Sequence, residues 1–137
     1  MKLSKSFELG LAIMLIIAKH PEDSAIAAKV IASQLGASLT YSQKLLRKLV
    51  IAGLIRAVPG SGGGFTLARP ATQISLADIV SAIEGRAASY HQTNQINLAI
   101  NSGQVSNSIA RTFETADLVW QQVLSQATLA EILANHN

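Results

Sequence analysis

The side chains with the clearest chemical character are cations and amides that follow residue 28. From Ser24 to Ala77 the sequence contains no acidic residue, although it contains six cations: Lys29, Lys44, Arg47, Lys48, Arg56 and Arg69. An uncompensated basic stretch raises the local electrostatic potential and attracts polyanions such as nucleic acid. Charge alone leaves one alternative open, a solvated basic face that has no partner.

The charge is divided unevenly along the chain of 137 residues. Residues 1–86 hold ten Lys and Arg against five Asp and Glu, whereas residues 87–137 hold one against three. The chain has no cysteine, which excludes disulfides, thiolate zinc sites and cysteine-ligated iron–sulfur clusters. We therefore expect no metal and no cofactor, and the composition fits a cytoplasmic protein.

The remaining reactive residue types do not predict an enzyme. His20, His91 and His136 are scattered along the sequence, and no serine lies in a nucleophile-elbow pattern. Glu22 and Asp23 fall in a predicted turn, where carboxylates are usually solvated. We expect no catalytic residue, and we interpret His91 as a solvated or packed side chain rather than a metal ligand.

The N-terminal apolar run, Leu9–Ala18, follows two lysines as the core of a signal peptide does. Glu8 and the lack of a suitably placed cleavage motif argue against a signal peptide, and the run is too short to cross a bilayer. We interpret residues 4–19 as a central core helix and expect no membrane partner.

A helix-turn-helix is predicted from residue 27 to residue 52. The first of its two helices covers 27–35, with a buried stripe of Val30, Ile31 and Leu35. Gly36 suits the left-handed position that ends a helix, and Ser38 suits the N-cap of the next one. Such a pair of helices separated by a short turn with glycine is typical of DNA-binding domains, although many helical hairpins share it.

The third helix, at about 39–52, has two chemically different faces. One face is apolar and comprises Leu39, Leu45, Leu46, Leu49 and Val50. The other carries polar and cationic side chains without an acid: Thr40, Gln43, Lys44, Arg47 and Lys48. Solvated helices usually mix charges of both signs at i, i+4 spacing, so this face favours contact with phosphates.

Two short strands, 54–59 and 64–68, flank a glycine-rich loop and predict a β-hairpin. A phosphate-binding loop would need a Gly-Lys-Ser/Thr ending and a following helix, and neither is present. Ser75 and Asp78 form a capping box, which begins a fourth helix.

The C-terminal part predicts a polar loop at 86–104 and then a long helix from Asn107. Its apolar residues alternate steps of four and three, as in a heptad seam: Ile109, Phe113, Ala116, Trp120, Val123 and Ala127. We interpret the first five of these as a homodimer interface, with packing against the chain's own helices as the alternative. Thr128 and Glu131 form another capping box, which begins a short final helix.

Several of these segments together resemble one family. The runs Ala52-Gly53-Leu54-Ile55, Gly60-x-Gly62-Gly63-Gly64-Phe65-x-Leu67-Ala68-Arg69-Pro70, Ile74-Ser75-Leu76-Ala77-Asp78-Ile79 and Ile83-Glu84-Gly85 are similar to the Rrf2 family of winged-helix regulators. The likeness is close over residues 1–86 and looser over 107–134. It implies a mainly α fold with a small β-hairpin wing, a winged helix-turn-helix followed by a long dimerisation helix.

The resemblance also implies a function. The expected protein is a homodimeric repressor that binds double-stranded DNA at a palindromic operator, with the third helix in the major groove and the hairpin at the minor groove. We expect a DNA-binding domain at 1–86, a polar segment at 87–106 and dimerisation helices at 107–137. The predicted DNA-binding residues are Lys5, Ser38, Thr40, Tyr41, Gln43, Lys44, Arg47, Lys48, Arg56, Ser61 and Gly62. A winged helix used only for protein contacts is the alternative function.

Two departures from the family pattern matter. Many members hold an iron–sulfur cluster through cysteines in the region that matches 87–108, and this chain has none. An unidentified small-molecule effector, bound between the polar segment and the dimer helices, is the hypothesis that this loss suggests, and a degenerate sensor is the alternative. Pro59 stands where members often carry a basic residue, so contact by the wing must rest on backbone amides, Ser61 and Arg56. Tyr41 has two open roles, DNA contact or packing against the hairpin.

Overall fold

Six α-helices and one β-hairpin form the part of the chain that the structure, a computed structural model, describes: residues 3–85 and 102–135. The elements in chain order are α1 (Lys5–Lys19), α2 (Ala28–Leu35), α3 (Leu39–Ile51), β1 (Ile55–Val58), β2 (Gly64–Leu67), α4 (Leu76–Glu84), α5 (Ser102–Gln126) and α6 (Leu129–Ala134), with a 3₁₀ turn at Ala71–Gln73. This mainly α architecture with a small hairpin wing confirms the predicted fold class. Within the described residues, every helix is too short or too polar to cross a membrane.

α1 is the central helix, as its apolar circumference predicts. It begins at the cap residue Ser4, whose side chain accepts a hydrogen bond from the backbone N–H of Phe7. Ile13 and Met14 have no exposed surface. At Gly10 the helix meets α4 so closely that an added Cβ would lie 2.7 Å from the Ile83 side chain. The missing side chain at Gly10 therefore allows α1 and α4 to pack together.

The turn between α2 and α3 forms as its residues predict. Gly36 has a φ of 64° and ends α2, and the Ser38 hydroxyl accepts from the Tyr41 N–H at 3.1 Å to begin α3. Two expected core residues are exposed instead: Val30 by 46% and Leu39 by 41%. α2 buries Ile31 and Ala32, so its inner face is rotated away from Val30. Leu39 is the first residue of α3, where the helix end leaves it partly open to solvent.

The wing is an antiparallel pair in which Ile55 faces Leu67 and Val58 faces Gly64. β2 is also bonded to the segment before α2, because Phe65 and Ile26 exchange two backbone hydrogen bonds of 3.0 and 2.9 Å. A Cβ at Gly64 would lie 2.3 Å from the Ile26 carbonyl oxygen. Glycine is therefore required where the wing is attached to the helical body.

The C-terminal chain returns to the body of the fold. α5 contacts α4, and the residues after α5 bond to the segment before α4: Leu76 N–H donates to Ala127 at 2.9 Å, and Leu129 N–H donates to Ile74 at 2.8 Å. Leu129 is completely buried in the same core as α1 and α3. Both predicted capping boxes, at Ser75 and at Thr128, are formed.

α5 begins at Ser102 rather than at Asn107, so the prediction of its start is wrong. Val105 is partly buried and lies four residues before Ile109, so it extends the same helical face. The polar residues around Val105 hide this periodicity in the sequence. Of the loop predicted at 86–104, residues 86–101 lie outside the described residues, and 102–104 belong to α5 instead.

The first testable prediction concerns the docking of α6. Leu129→Ala should lower the free energy of unfolding by about 2–5 kcal/mol, because it removes a completely buried side chain. Ile51→Ala is the matched control, since Ile51 is 76% exposed and should change stability little. Urea denaturation at one protein concentration measures both. Equal effects of the two variants would show that α6 is not part of the core.

Candidate nucleic-acid interface

The outer face of α3 presents the residues that the sequence singles out. Thr40, Gln43, Lys44 and Arg47 are exposed, whereas Leu45, Leu46 and Leu49 on the opposite side are buried to within 1%. Because no acidic residue occurs between Ser24 and Ala77, α2, α3 and the wing contribute no negative charge to this surface. The outward direction of these side chains is confirmed, and their contacts with a ligand stay a prediction.

Tyr41 is held against α1. Its hydroxyl is hydrogen bonded to the Ser6 hydroxyl, and its ring packs on the hydrophobic core. This contact with α1 is a role that neither sequence-based alternative included. It also joins the first turn of α1, which carries the exposed Lys5, to the first turn of α3.

Lys48 differs from the other cations of α3. It is partly buried, and its Nζ donates a hydrogen bond of 3.2 Å to the carbonyl oxygen of Ile83, in the last turn of α4. Carbonyl groups at a helix C-terminus lack intrahelical partners and carry partial negative charge, so they favour a cation. Lys48 therefore joins α3 to α4 in the free protein, and a phosphate contact by the same ammonium would compete with that bond.

The end of α4 is joined to α1 as well. The Glu84 carboxylate accepts hydrogen bonds from the backbone N–H of Ser4, at 3.0 Å, and from the Ser4 hydroxyl. Together with the bond from Lys48, these contacts attach the start of α1 and the C-terminal half of α3 to the end of α4.

The tip of the wing is exposed at Ser61 and Gly62, and Arg56 is exposed on β1. Gly60 and Gly62 have φ values of 89° and 77°, which favour glycine. Gly63 has a different reason, because an added Cβ would lie 2.2 Å from the Val58 carbonyl oxygen. The site prediction omitted Gly63, although the uninterrupted glycine run was the available signal.

Comparison with known proteins agrees with this geometry. The family model for Rrf2, described as an iron-dependent transcriptional regulator, matches residues 3–135. The chain belongs to the Rrf2 family. The HTH-type transcriptional regulator IscR of Cereibacter sphaeroides is 28% identical over 121 residues, which cover 88% of this chain and 78% of that one.

Two solved structures share the fold. CymR, the global cysteine regulator of Bacillus subtilis, has a TM-score of 0.74 at 23% identity and covers 100% of this chain and 99% of its own. Oxidised CymR of Staphylococcus aureus has a TM-score of 0.68 at 32% identity and covers 96% and 95%. This Rrf2 chain is thus a DNA-binding transcriptional regulator and not an enzyme. The relatives give no support to the alternative of a winged helix used only for protein contacts.

The iron named in the family description does not fit the residues of this chain as a thiolate-ligated cluster. Such clusters need cysteine ligands, and the sequence contains none. Among residues 3–85 and 102–135, the structure also shows no group of three His, Asp or Glu side chains placed to hold a metal ion. His91 lies outside these ranges.

The predicted seam on α5 divides into two sets. Ile109 and Trp120 are partly buried within the single chain, which favours the self-packing alternative for these two. Phe113 is 43% and Val123 64% exposed, and Ala116 is exposed too. The prediction missed Val119, which is 52% exposed. Its spacing of three from Ala116 and four from Val123 places it on their face.

The second prediction tests the structural role of Lys48. Lys48→Gln should lower the free energy of unfolding by about 1–3 kcal/mol, since it removes a charged donor and leaves the Ile83 carbonyl without that partner. Lys44→Gln, on an exposed part of the same helix, should leave stability nearly unchanged. Urea denaturation in parallel decides the question. A Lys48 variant as stable as the Lys44 variant would remove the proposed link between α3 and α4.

Proposed function

We propose that this Rrf2 regulator is a cytoplasmic repressor that binds a palindromic operator as a homodimer, with α3 in the major groove. The observation that carries the proposal is the exposed face of α3, which presents cations and an amide on a helix that contains no acidic residue. A repressor needs no further chemistry than this, because occupancy of the operator is enough to block access to it.

Affinity is assigned mainly to Lys44, Arg47 and Arg56, which contact phosphates, with Lys5 as a further contact beside the start of α3. All four are exposed. Each phosphate that a cation neutralises releases condensed counterions, so affinity falls as salt concentration rises. Lys48 belongs to this set only if DNA displaces it from Ile83.

Specificity is assigned to Gln43 and Thr40. A glutamine amide can form two hydrogen bonds with adenine, and a threonine hydroxyl can reach several bases. Ser38 has less capacity, because its hydroxyl already accepts from the Tyr41 N–H as the helix cap. Tyr41 is partly buried and hydrogen bonded to Ser6, so it is less accessible to DNA than Thr40 or Gln43.

The wing approaches the minor groove through its tip. Pro59 cannot insert a charge there, so the backbone amides around Ser61 and Gly62 and the guanidinium of Arg56 supply the contacts. A narrow minor groove attracts an arginine because its negative potential is enhanced. Arg56 therefore contributes most to affinity at operator sequences whose minor groove is narrow.

The homodimer is supported by the exposed apolar strip on α5. Ala116, Val119 and Val123 recur at helical spacing on one face, and Phe113 lies beside them. Such a strip on a long helix is costly to leave in water and is typical of an interface. A two-fold dimer then presents two α3 helices to half-sites about 34 Å apart, one turn of DNA.

The third prediction separates affinity from specificity on a duplex selected from a random pool. Lys44→Ala should weaken binding to specific and random duplexes alike, and the slope of log affinity against log salt should fall by about 2, one phosphate per subunit. Gln43→Ala should keep that slope and lose about 1–3 kcal/mol of discrimination at one base pair of each half-site.

Arg111→Ala, an exposed cation on α5, is the control and should change neither property. Fluorescence anisotropy over a salt series measures all three variants. If Lys44→Ala bound as tightly as the wild type at low salt, the phosphate contact would be wrong. If Gln43→Ala kept full base discrimination, the major-groove role of that amide would be wrong.

The fourth prediction concerns the dimer. Val123→Asp places a carboxylate in the apolar strip and should raise the dimer dissociation constant at least tenfold, with a parallel loss of operator affinity. Gln121→Asp is the matched control, because two residues turn a helix by about 200° and place it on the far side. Sedimentation velocity over a concentration series measures both. A Val123→Asp variant that stays dimeric would exclude this strip as the interface.

A further inference from the structure

A groove of about 390 Å³ lies between α1, α2 and α6, away from the DNA-binding face of α3. Its walls are Ala12, Leu15, Ile16, Lys19, Leu35, Ile132 and Leu133. Small-molecule sites in proteins begin at about 300 Å³ and are mostly apolar with a few polar groups. The groove therefore has the size and lining of a site for one small ligand.

The chemistry of the lining selects the class of ligand. Every wall residue except Lys19 is aliphatic, so the groove suits an alkyl chain and offers no aromatic ring for stacking. Lys19 is exposed at the last position of α1 and supplies the single charged group of the lining. One ammonium and no lining carboxylate match a monoanion such as a carboxylate, whereas a phosphate monoester carries a charge of about −1.5 to −2 that one lysine leaves partly uncompensated.

The groove is connected to α3 by two routes. Leu35, in one wall, directly precedes Gly36, the residue that ends α2 and begins the turn into α3. α1, which forms another wall, is bonded to α3 through Ser6 and Tyr41. A ligand that spans α1, α2 and α6 therefore touches the elements that orient α3.

We propose that this groove binds a medium-chain aliphatic carboxylate, with the alkyl chain against the aliphatic walls and the carboxylate at Lys19, and that binding changes operator affinity. The binding half stands without any assumption about DNA. The regulatory half rests on the proposed function. The location differs from the one expected from the sequence, between the polar segment and the dimer helices.

Calorimetric titration of the full chain with octanoate, decanoate and decanol tests the binding half, the two carboxylates below their micelle concentrations and decanol below its solubility limit. Decanoate should bind more tightly than octanoate, by about twofold to fourfold for each added methylene that is buried. Decanol should bind about threefold to tenfold more weakly than decanoate, because it cannot pair with Lys19. Failure of decanoate to bind overturns the proposal.

Three variants locate the site. Ala12→Phe fills the groove and should weaken decanoate at least tenfold, with circular dichroism as the check on folding. Lys19→Gln should weaken decanoate about threefold to tenfold and leave decanol unchanged. Lys29→Gln removes an exposed lysine of α2 outside the groove and should alter neither. Decanoate binding that is indifferent to both Ala12→Phe and Lys19→Gln overturns the assignment to this groove.

Other occupants give distinct results. If a second copy or another segment of this chain fills the groove, decanoate will not bind, and Ala12→Phe will change the oligomeric state or the stability. Anisotropy with the selected duplex, with and without saturating decanoate, tests the regulatory half. An unchanged operator affinity despite calorimetric binding overturns that half alone. Absence of any specific DNA binding in ligand-free protein overturns the proposed function instead.

Discussion

The division of α3 into a leucine face and a cationic face is the constraint on which the proposed DNA-binding surface depends. Leu45, Leu46 and Leu49 are buried to within 1%, and burial of each such side chain contributes about 1.5–3 kcal/mol. Like charges three or four residues apart on the outer face oppose the helix by only about 0.2–0.5 kcal/mol per pair. The stabilisation from leucine burial therefore exceeds the charge repulsion by a wide margin. α3 can thus remain helical with Lys44 and Arg47 exposed and without an acidic partner on the same helix.

α4 connects the proposed DNA-binding surface with α5, the helix that carries the apolar strip. Its last turn accepts hydrogen bonds from Lys48 of α3 and from Ser4 at the start of α1. α5 contacts α4, and the residues after α5 bond to the segment before α4. A displacement of α5 relative to α4 would be transmitted to α3 through one or two hydrogen bonds. Within the described residues, the winged helix and the helix of the proposed dimer interface thus share α4 as a common support.

Local chemistry made most of the helix ends predictable, and non-local packing limited the rest. Gly36, Ser38 and the two capping boxes act within four residues, so sequence spacing locates them. Periodicity predicts Val30 and Leu39 in the core, but both are exposed. It shows which residues share a helix face, and it does not show how far the neighbouring helices extend. The bond from Lys48 to Ile83 joins residues 35 positions apart, and no spacing rule signals it. The return of Leu129 to the core was hidden for the same reason.

A small molecule changes the operator affinity of a regulator only through the difference between its binding energies to the free and the DNA-bound states. A hundredfold change in operator affinity corresponds to a difference of about 2.7 kcal/mol in ligand binding between the free and DNA-bound states. An exposed ion pair at Lys19 contributes about 1 kcal/mol, and each buried methylene contributes about 0.8 kcal/mol. The charge alone therefore falls short of about 2.7 kcal/mol, which three or four methylenes can supply. A ligand of the groove between α1, α2 and α6 would control this protein chiefly through the length of its alkyl chain, with the carboxylate fixing its direction.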